Sequence, residues 1–276
     1  MKMERKVLID GQEHTVFISD ELEALLAAKA AGRAVVGVES APVREGQSST
    51  GSQSSTGSQP PAGSQPPAAL ARFPGIPYII PGPEYATEEL AQLVLRRHLG
   101  LPWLIDETER LTIRELVPED AGFIPAEEYE EQEAVFRSPE LLRLYIKNQY
   151  GFYEYGTWAL ILRRTGQLIG LAGVSNPKLP PAMEKYLAKA GDLKDSRPWL
   201  ELGYHIFRPF RRMGYGREAV AAVASYSREV LDVRLCALIY AENKASRALA
   251  EGLGMKILMG TDTQCCQDSL LYVQNF

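Results

Sequence analysis

Hydrophobic and polar residues follow a strand and helix pattern along the first hundred residues. Residues 14–19 (HTVFIS) have the period of a short strand, and residues 33–39 (RAVVGVE) are nearly all apolar, as in a parallel strand buried on both faces. Asp20 and Gly32 are residue types that begin and end helices. The predicted elements are a strand at 14–19, a helix at 21–31, a strand at 33–39, a strand at 77–80 and a helix at 86–99, which form a small βαβ-type lobe.

From residue 111 onward the pattern predicts a larger unit. Strands dominate its first part, and helices alternate with strands in its second part. The predicted strands are 111–116, 158–163, 167–174, 199–207, 233–240, 255–259 and 269–274, and the predicted helices are 139–150, 182–190, 216–231 and 244–253, with a helical turn at 118–120. This order predicts an α/β (α+β) domain with a mixed, mostly antiparallel sheet of about seven strands and flanking helices.

A low-complexity segment interrupts the first lobe. Residues 46–71 contain no charged or aromatic residue and repeat at a period of six, as SSTGSQ, SSTGSQ and PPAGSQ. Such a segment buries too little apolar surface to become ordered, so we predict a disordered tether whose ends average about 28 Å apart. It lacks a PxxP motif flanked by basic residues, which disfavours a proline-rich ligand for another domain. The predicted organisation is an accessory lobe at 1–45 and 72–105, the tether inside it, and a second domain at 110–276.

Composition and charge exclude several classes of protein. The 276 residues are 45% hydrophobic and 24% charged, as in a soluble globular chain, and the net charge of -5 argues against nucleic acid as the main partner. No stretch is long and apolar enough to span a membrane, and residues 1–10 do not have the form of a secretory leader. Cys236, Cys265 and Cys266 fit neither a disulfide framework nor a zinc site. We expect a reduced, cytoplasmic protein without a metal.

The most informative stretch lies at residues 200–219, LELGYHIFRPFRRMGYGREA. A predicted strand leads into a basic turn, a glycine-rich loop and a helix that begins near Gly216. Free N–H groups and the helix dipole make such a helix start a site for a pyrophosphate. Gly214 and Gly216 let the backbone approach a phosphate closely, and Arg211 and Arg212 add positive charge.

Two interpretations of this loop remain. Gly214-x-Gly216-x-x-Ala219 matches the dinucleotide fingerprint of a nicotinamide dehydrogenase, with Glu242 as the ribose acceptor, although residues 208–213 separate its first glycine from the strand. The alternative motif, Arg211-x-x-Gly214-x-Gly216, resembles the Gln/Arg-x-x-Gly-x-Gly/Ala loop of the GCN5-related N-acetyltransferase (GNAT) family.

The resemblance to this family covers about residues 111–276 and rests on an ordered set of segments. LTIREL resembles the first strand of the family, GQLIGLAGVSN its third strand, and LELGYHIFRPFRRMGYGREAV its fourth strand, loop and helix. AENKASRALAEGLGMK resembles the segment after its fifth strand, with Asn243, Ser246 and Gly254 in register. The Glu-Leu-Gly-Tyr run and Ser246 resemble the ribosomal-protein N-terminal acetyltransferase-like branch.

The resemblance implies the acyl-CoA N-acyltransferase fold and direct acetyl transfer from acetyl-CoA to a primary amine, either a small molecule or a protein N-terminus. It implies that the fourth and fifth strands separate and that the pantetheine arm lies between them. Backbone amides of the loop then hold the pyrophosphate, and a backbone N–H of the fourth strand polarises the thioester oxygen. The implied cofactor-binding residues are Ile206, Phe207, Arg208, Arg211, Arg212, Met213, Gly214, Tyr215, Gly216, Arg217, Asn243 and Ser246.

The resemblance also indicates candidate catalytic residues. Glu201 matches the strand-four glutamate of the family and is the candidate base, its alternative being a solvated strand carboxylate. Many relatives carry a tyrosine seven residues after the asparagine, where this chain has Ala250. Ser246, Tyr240 or no dedicated acid remain open for the second proton transfer. Asn243 is equally explained as a helix cap.

Other residues and segments of the second domain allow a structural and a functional interpretation. His205 either faces the cleft or packs, and Cys236 is expected to pack in its strand. The acidic run 127–133 (EEYEEQE) either attracts a cationic substrate or forms a solvated helix face. Residues 176–198 occupy the place where the family often builds a substrate wall.

The sequence leaves two functions open for the chain, an enzyme and a non-catalytic binding module. The expected partners of an enzyme are acetyl-CoA and an amine acceptor. Ala250 and the accessory lobe instead favour a non-catalytic CoA- or nucleotide-binding module. Three roles stay open for the lobe: positioning substrate, forming a homodimer, or supporting the first strand of the second domain.

Overall fold

The computed structural model describes residues 1–39, 72–128, 135–136, 138–190, 195–259 and 268–274. The predicted tether at 46–71 lies outside these residues, as do Cys265 and Cys266. The chain divides into two compact units, Met1–Trp103 and Leu104–Phe276.

The first unit is a four-stranded sheet with helices on both faces. Strand order is β1-β2-β3-β4, with an antiparallel β1–β2 pair and parallel pairs from β2 to β4. All five residues of β3 are buried, which confirms the prediction of a strand covered on both faces. The elements are β1 (Lys2–Ile9), β2 (Gln12–Ser19), α1 (Leu22–Ala30), β3 (Ala34–Val38), β4 (Ile79–Ile80) and α2 (Glu88–His98).

Two details of this unit differ from the prediction. Strand β1 was not predicted, although Asp10–Gly11 joins it to β2 with positive φ at both residues, as a tight hairpin turn requires. The prediction of Asp20 as the helix cap was wrong, because α1 begins after Glu21 and the Asp20 carboxylate accepts from the Met1 amino group instead.

The second unit contains one sheet of eight strands in the order β11-β12-β10-β9-β8-β7-β6-β5. Among the described strands of this unit, only β9 and β10 pair in parallel, so the predicted fold class of a mostly antiparallel sheet with flanking helices is confirmed. Strand β5 was not predicted. The elements are β5 (Leu104–Glu107), β6 (Leu111–Glu115), α3 (Pro139–Tyr153), β7 (Thr157–Leu162), β8 (Leu168–Ser175), α4 (Pro181–Ala190), β9 (Trp199–Ile206), α5 (Tyr215–Glu229), β10 (Arg234–Tyr240), α6 (Lys244–Gly252), β11 (Lys256–Met259) and β12 (Ser269–Val273).

Local sequence signals set the helix starts of this unit. The Ser138 hydroxyl accepts from the Leu141 N–H, and the Asn243 side chain accepts from the Ser246 N–H, so both residues cap helices and the helix-cap interpretation of Asn243 is confirmed. Helix α5 begins after Gly214, which has φ +84° and provides no side-chain cap. Its buried residues include three alanines and two valines, namely Ala219, Val220, Ala222, Val223 and Ala224.

The sheet opens between β9 and β10. The two strands pair over three residues only, from Trp199–Arg234 to Glu201–Cys236. Beyond that point β9 stays paired with β8 as far as Ile206, while β10 stays paired with β12 as far as Tyr240. A cleft therefore lies between two strands that remain ordered on their outer sides. Within the described ranges, no helix has both the length and the apolar character needed to cross a membrane.

Candidate active site

The cleft between β9 and β10 exposes a backbone edge. The Phe207 N–H bonds to the Ile169 carbonyl at 2.9 Å, so residues of this parity face β8. The alternate residues Tyr204 and Ile206 therefore direct their backbone groups toward β10, where the β9–β10 ladder has already ended. An open strand edge of this kind can hold an extended ligand by main-chain hydrogen bonds.

The glycine-rich loop closes one end of the cleft. A 3₁₀ turn at Arg208–Phe210 leads through Arg212 and Gly214, which both have positive φ, into helix α5. The Glu218 N–H donates to the Gly214 carbonyl at 3.2 Å as the first helical bond, so the preceding helical N–H groups have no acceptor within the helix. The predicted strand, loop and helix start are thus present, with the geometry of an anion site.

Arg110 and Glu218 form an ion pair that is hydrogen-bonded to the glycine-rich loop. The Arg110 Nη1 donates to the Met213 carbonyl at 2.9 Å, and its Nε donates to Glu218 at 2.6 Å. The guanidinium also lies 4.5 Å from the centre of the Tyr215 ring. Burial raises the pKa of Glu218, but hydrogen bonds from Thr108 and Arg110 more than offset it, and the net shift is downward. This pair was not predicted, because 108 residues separate its members.

Arg211 is hydrogen-bonded within the protein, although its side chain is exposed. Its Nε donates to the Ile206 carbonyl at 2.7 Å, and its Nη2 donates to Glu128 at 2.8 Å. The Arg208 N–H also donates to Glu128, at 2.7 Å. Arg211 is thus paired with a carboxylate, and the Arg208 N–H is used within the protein, while the binding of a cofactor by these arginines stays a prediction.

Glu128 is the one described member of the acidic run that contacts this loop. Its side chain is only 2% exposed and also lies 2.9 Å from the Nε2 of His205, whereas Glu127 is exposed. Burial raises the pKa of Glu128, and the bonds from Arg208, His205 and Arg211 reverse the shift and lower it. The interpretation as a solvated helix face was wrong for Glu128, and residues 129–133 lie outside the described part of the chain.

A cavity of about 300 Å³ lies over strands β7, β8 and β9. Its floor includes the register pair Gly173 and Gly203, with Glu201 and His205 on either side of Gly203 along β9. His205 thus faces the cavity, which was one of its two predicted positions. The lining residues are Phe136, Thr157, Leu171, Gly173, Val174, Ser175, Glu201, Gly203, Tyr204 and His205.

Glu201 sits where the two strands separate. It pairs in register with Cys236 at the end of the β9–β10 ladder and lines the cavity. Burial raises the pKa of Glu201, although its carboxylate accepts from the Lys178 N–H at 3.2 Å and from the Leu238 N–H. Cys236 is buried, as predicted, and burial together with Glu201 raises the pKa of its thiol to about 12, so it remains protonated.

The residues considered as proton donors differ in how far they are buried. Tyr240 is 64% exposed at the end of β10, and Ala250 is buried in α6 one turn after Ser246. Tyr204, which was not predicted, has a buried hydroxyl without a hydrogen-bond partner among the described residues. Burial raises the pKa of Tyr204, and the nearby Ser246 side chain opposes that rise. Tyr204 thus brings its phenol close to helix α6, the helix that carries Ala250.

Arg212 provides a test of the loop backbone. Its φ of +62° is costly for a residue with a Cβ, so Arg212→Gly is expected to raise the free energy of unfolding by about 0.5–1 kcal/mol. Urea denaturation measures this change. Arg217→Gly, in the first turn of α5, is the matched control and is expected to lower stability by about 1 kcal/mol. A stability loss in both variants would contradict the prediction.

The chain matches a known family over its larger unit. A family model described as an acetyltransferase (GNAT) domain matches residues 110–256, more than half of the chain. The match runs from the loop before β6 to the start of β11 and includes the glycine-rich loop, Glu201 and Asn243.

Solved structures of acetyltransferases are also similar to this chain. An acetyltransferase from Agrobacterium tumefaciens is 22% identical, with a TM-score of 0.43 over 62% of this chain and 94% of that one. The ribosomal-protein-S5-alanine acetyltransferase from Vibrio fischeri is 16% identical, with a TM-score of 0.44 over 63% and 96%. RimJ from Mycobacterium smegmatis, solved in complex with CoA-disulfide, is 13% identical, with a TM-score of 0.42 over 59% and 81%. The family match confirms the family predicted from the sequence motifs: this chain belongs to the GNAT acetyltransferase family.

Proposed function

We propose that this protein transfers an acetyl group from acetyl-CoA to a primary amine. The observation that carries the proposal is the separation of β9 from β10, with the uncapped start of α5 at one end of the cleft and the half-buried Glu201 carboxylate at the other. One end suits a phosphate, and the other suits a proton acceptor.

The residues present fit acetyl-CoA. The N–H groups of Tyr215 and Gly216 precede the helical ladder, and the exposed Arg208 and Arg212 supply positive charge nearby. A Cβ at Gly216 would lie 3.4 Å from a methyl of Leu249, so glycine keeps this helix start clear of side-chain atoms. The backbone edge of β9 would hold the pantetheine arm, and Asn243 would contact it from the side of α6. When bound, acetyl-CoA supplies an acetyl group activated as a thioester.

Glu201 is the proposed base. An amine attacks only after losing its proton, and free amines have pKa values from about 8 to about 10. Burial moves the pKa of Glu201 upward, toward those values, which makes the carboxylate a stronger proton acceptor. Glu201 lines the cavity, so an amine bound there is within its reach, directly or through a water.

Tyr204 is the proposed acid. Because burial raises the pKa of Tyr204, its hydroxyl stays protonated at neutral pH and can donate to the departing sulfur. The buried hydroxyl makes no hydrogen bond of standard length and angle with any described residue, although Ser246 lies close enough to lower its pKa, so a ligand in the cleft can serve as its partner. In this proposal Tyr204 replaces the tyrosine that many relatives carry at the position of Ala250.

Isothermal titration with acetyl-CoA tests the donor half of the proposal. Gly214→Glu places a carboxylate at the proposed phosphate site and is expected to weaken binding at least about tenfold, because like charges repel in a confined site. Gly166→Glu is the control for the strain of a side chain at positive φ, since Gly166 also has positive φ but lies in the β7–β8 turn. At Gly214 the new Cβ would in addition lie 3.2 Å from Arg110 Nη2. Equal Kd values for the wild type and Gly214→Glu would refute the proposed site.

A second candidate function is a CoA-binding module without catalysis, which Ala250 favours. A panel of amines incubated with acetyl-CoA and analysed by mass spectrometry separates the two functions. Acetylated product and free CoA thiol together support the enzyme. Binding of acetyl-CoA without turnover of any amine supports the binding module.

A further inference from the structure

We propose that Glu128 is a positioning residue, which seats the donor loop and connects it to the wall of the acceptor cavity. This inference rests on the proposed function, because it concerns the loop that would hold acetyl-CoA. The acidic run around Glu128 has no role in that function as described so far.

One carboxylate makes three contacts that belong to different parts of the site. Glu128 Oε1 accepts from the Arg208 N–H at 2.7 Å, where the loop begins. Glu128 Oε2 accepts from Arg211 Nη2 at 2.8 Å and lies 2.9 Å from His205 Nε2. Arg211 is the first residue of the loop motif, and His205 lines the cavity. Glu128 therefore contacts both halves of the proposed site at once.

Arg211 transmits the position of Glu128 to β9. Its guanidinium donates to the Ile206 carbonyl through Nε and to Glu128 through Nη2, so it is held from two sides. Glu128→Gln leaves one acceptor oxygen for two donors, the Arg208 N–H and the Arg211 Nη2, and removes the charge that strengthens both hydrogen bonds. Arg211 then keeps its bond to the Ile206 carbonyl and a 3.2 Å contact with His205 Nε2. Hydrogen bonds to a charged group contribute more than neutral ones, so the loop is expected to lose its fixed position.

The direction in which Kd for CoA changes when Glu128 is replaced distinguishes a positioning role from charge repulsion. Glu128 is an anion beside a proposed site for a polyanion, so by Coulomb's law alone its removal should strengthen the binding of CoA. If Glu128 instead fixes the geometry of the loop, its removal weakens binding, because the N–H groups are no longer held in place. The two explanations predict changes in Kd of opposite direction.

The experiment compares Glu128→Gln with Glu127→Gln in the full chain. The two variants lose the same charge at adjacent positions, but only Glu128 is buried against the loop. Titration with CoA is expected to give a Kd about tenfold higher for Glu128→Gln and unchanged or slightly lower for Glu127→Gln. A Kd for Glu128→Gln equal to or below that of the wild type overturns the proposal.

Hydrogen exchange of the free protein gives a readout that does not depend on CoA. Glu128→Gln is expected to speed exchange at the Arg208 amide and across residues 211–217 at least about tenfold, with β6 and β7 unchanged. Unchanged exchange at the loop overturns the proposal, and faster exchange across the whole unit indicates general destabilisation and also overturns it. If wild-type protein fails to bind CoA, the proposed function fails, while the exchange data still decide the role of Glu128.

A double-mutant cycle tests the route through Arg211. If Glu128 acts through Arg211, the change from Glu128→Gln should be much smaller in an Arg211→Gln background. Additive effects on loop exchange would show that Glu128 acts independently of Arg211, and would overturn that step.

Discussion

Replacing Glu201 with glutamine is expected to lower kcat by about 100- to 1,000-fold and to leave the Kd for acetyl-CoA unchanged. The amide keeps the shape of the carboxyl group and can still accept from the Lys178 N–H, but it cannot take a proton from an amine. The measurement uses any amine that the mass-spectrometric panel identifies. Glu242→Gln, at an exposed position just after β10, is the charge-matched control and is expected to retain activity.

The pH profile gives this prediction a second test. A base works only when deprotonated, so kcat/KM of the wild type should fall as pH decreases through the pKa of Glu201, which burial raises from its ordinary value. Glu201→Gln should lose this acidic limb. If it keeps both the limb and its rate, another group is the base.

We do not expect Glu201→Gln to lose activity by unfolding. The folded-state pKa of Glu201 is raised, so the folded chain favours the protonated carboxyl, and ionisation lowers stability as pH rises. A neutral glutamine removes that cost. We therefore expect the stability of Glu201→Gln at neutral pH to equal or exceed that of the wild type in urea denaturation.

Gly173→Ala is expected to destabilise the larger unit by about 3 kcal/mol or more. A Cβ at this position would lie 2.0 Å from the Gly156 carbonyl oxygen and 2.7 Å from the Cα of Thr157, both of them backbone atoms that cannot turn aside. Thermal and urea denaturation measure the loss. A stability within about 0.5 kcal/mol of the wild type would mean that β7 and β8 are farther apart than described.

Its register partner Gly203 supplies the matched variant. A Cβ at Gly203 meets no atom within 4 Å, and this residue lies on the cavity floor between Glu201 and His205. Gly203→Ala should therefore fold like the wild type and reduce the space for the amine, which raises KM for the acceptor while the Kd for acetyl-CoA stays unchanged. If Gly173→Ala and Gly203→Ala lose the same stability, the clash at Gly173 is not the cause, and both glycines are required for their backbone conformation.

Much of the fold and the donor loop was predictable, because the signals are local. Alternation of apolar residues located β6 and short apolar runs located β7 and β8. Ser138 and Asn243 act as helix caps through bonds to N–H groups three residues away. The loop motif from Arg211 to Gly216 is likewise contained within a few residues. Local sequence patterns of this kind are sufficient to place an element and its start.

The contacts that shape the site are not local, and sequence patterns did not reveal them. Glu128 and Arg211 are 83 residues apart, and Arg110 and Glu218 are 108 residues apart. Each of these side chains, taken alone, resembles an exposed surface charge. Only the packing of the 3₁₀ turn at Ala126–Glu128 and of the β5–β6 turn against the loop region shows their partners.

The opening between β9 and β10 has a thermodynamic consequence. Strands β5 to β9 form one hydrogen-bonded group and strands β10 to β12 another, and between these strands only three residue pairs connect the two groups. A molecule bridging the gap contacts both groups only while the unit is folded. By mass action such a ligand stabilises the folded chain, by about 2.7 kcal/mol at a concentration of 100 times its Kd. The opening that creates a binding cleft thus links occupancy of that cleft to the cohesion of the whole sheet.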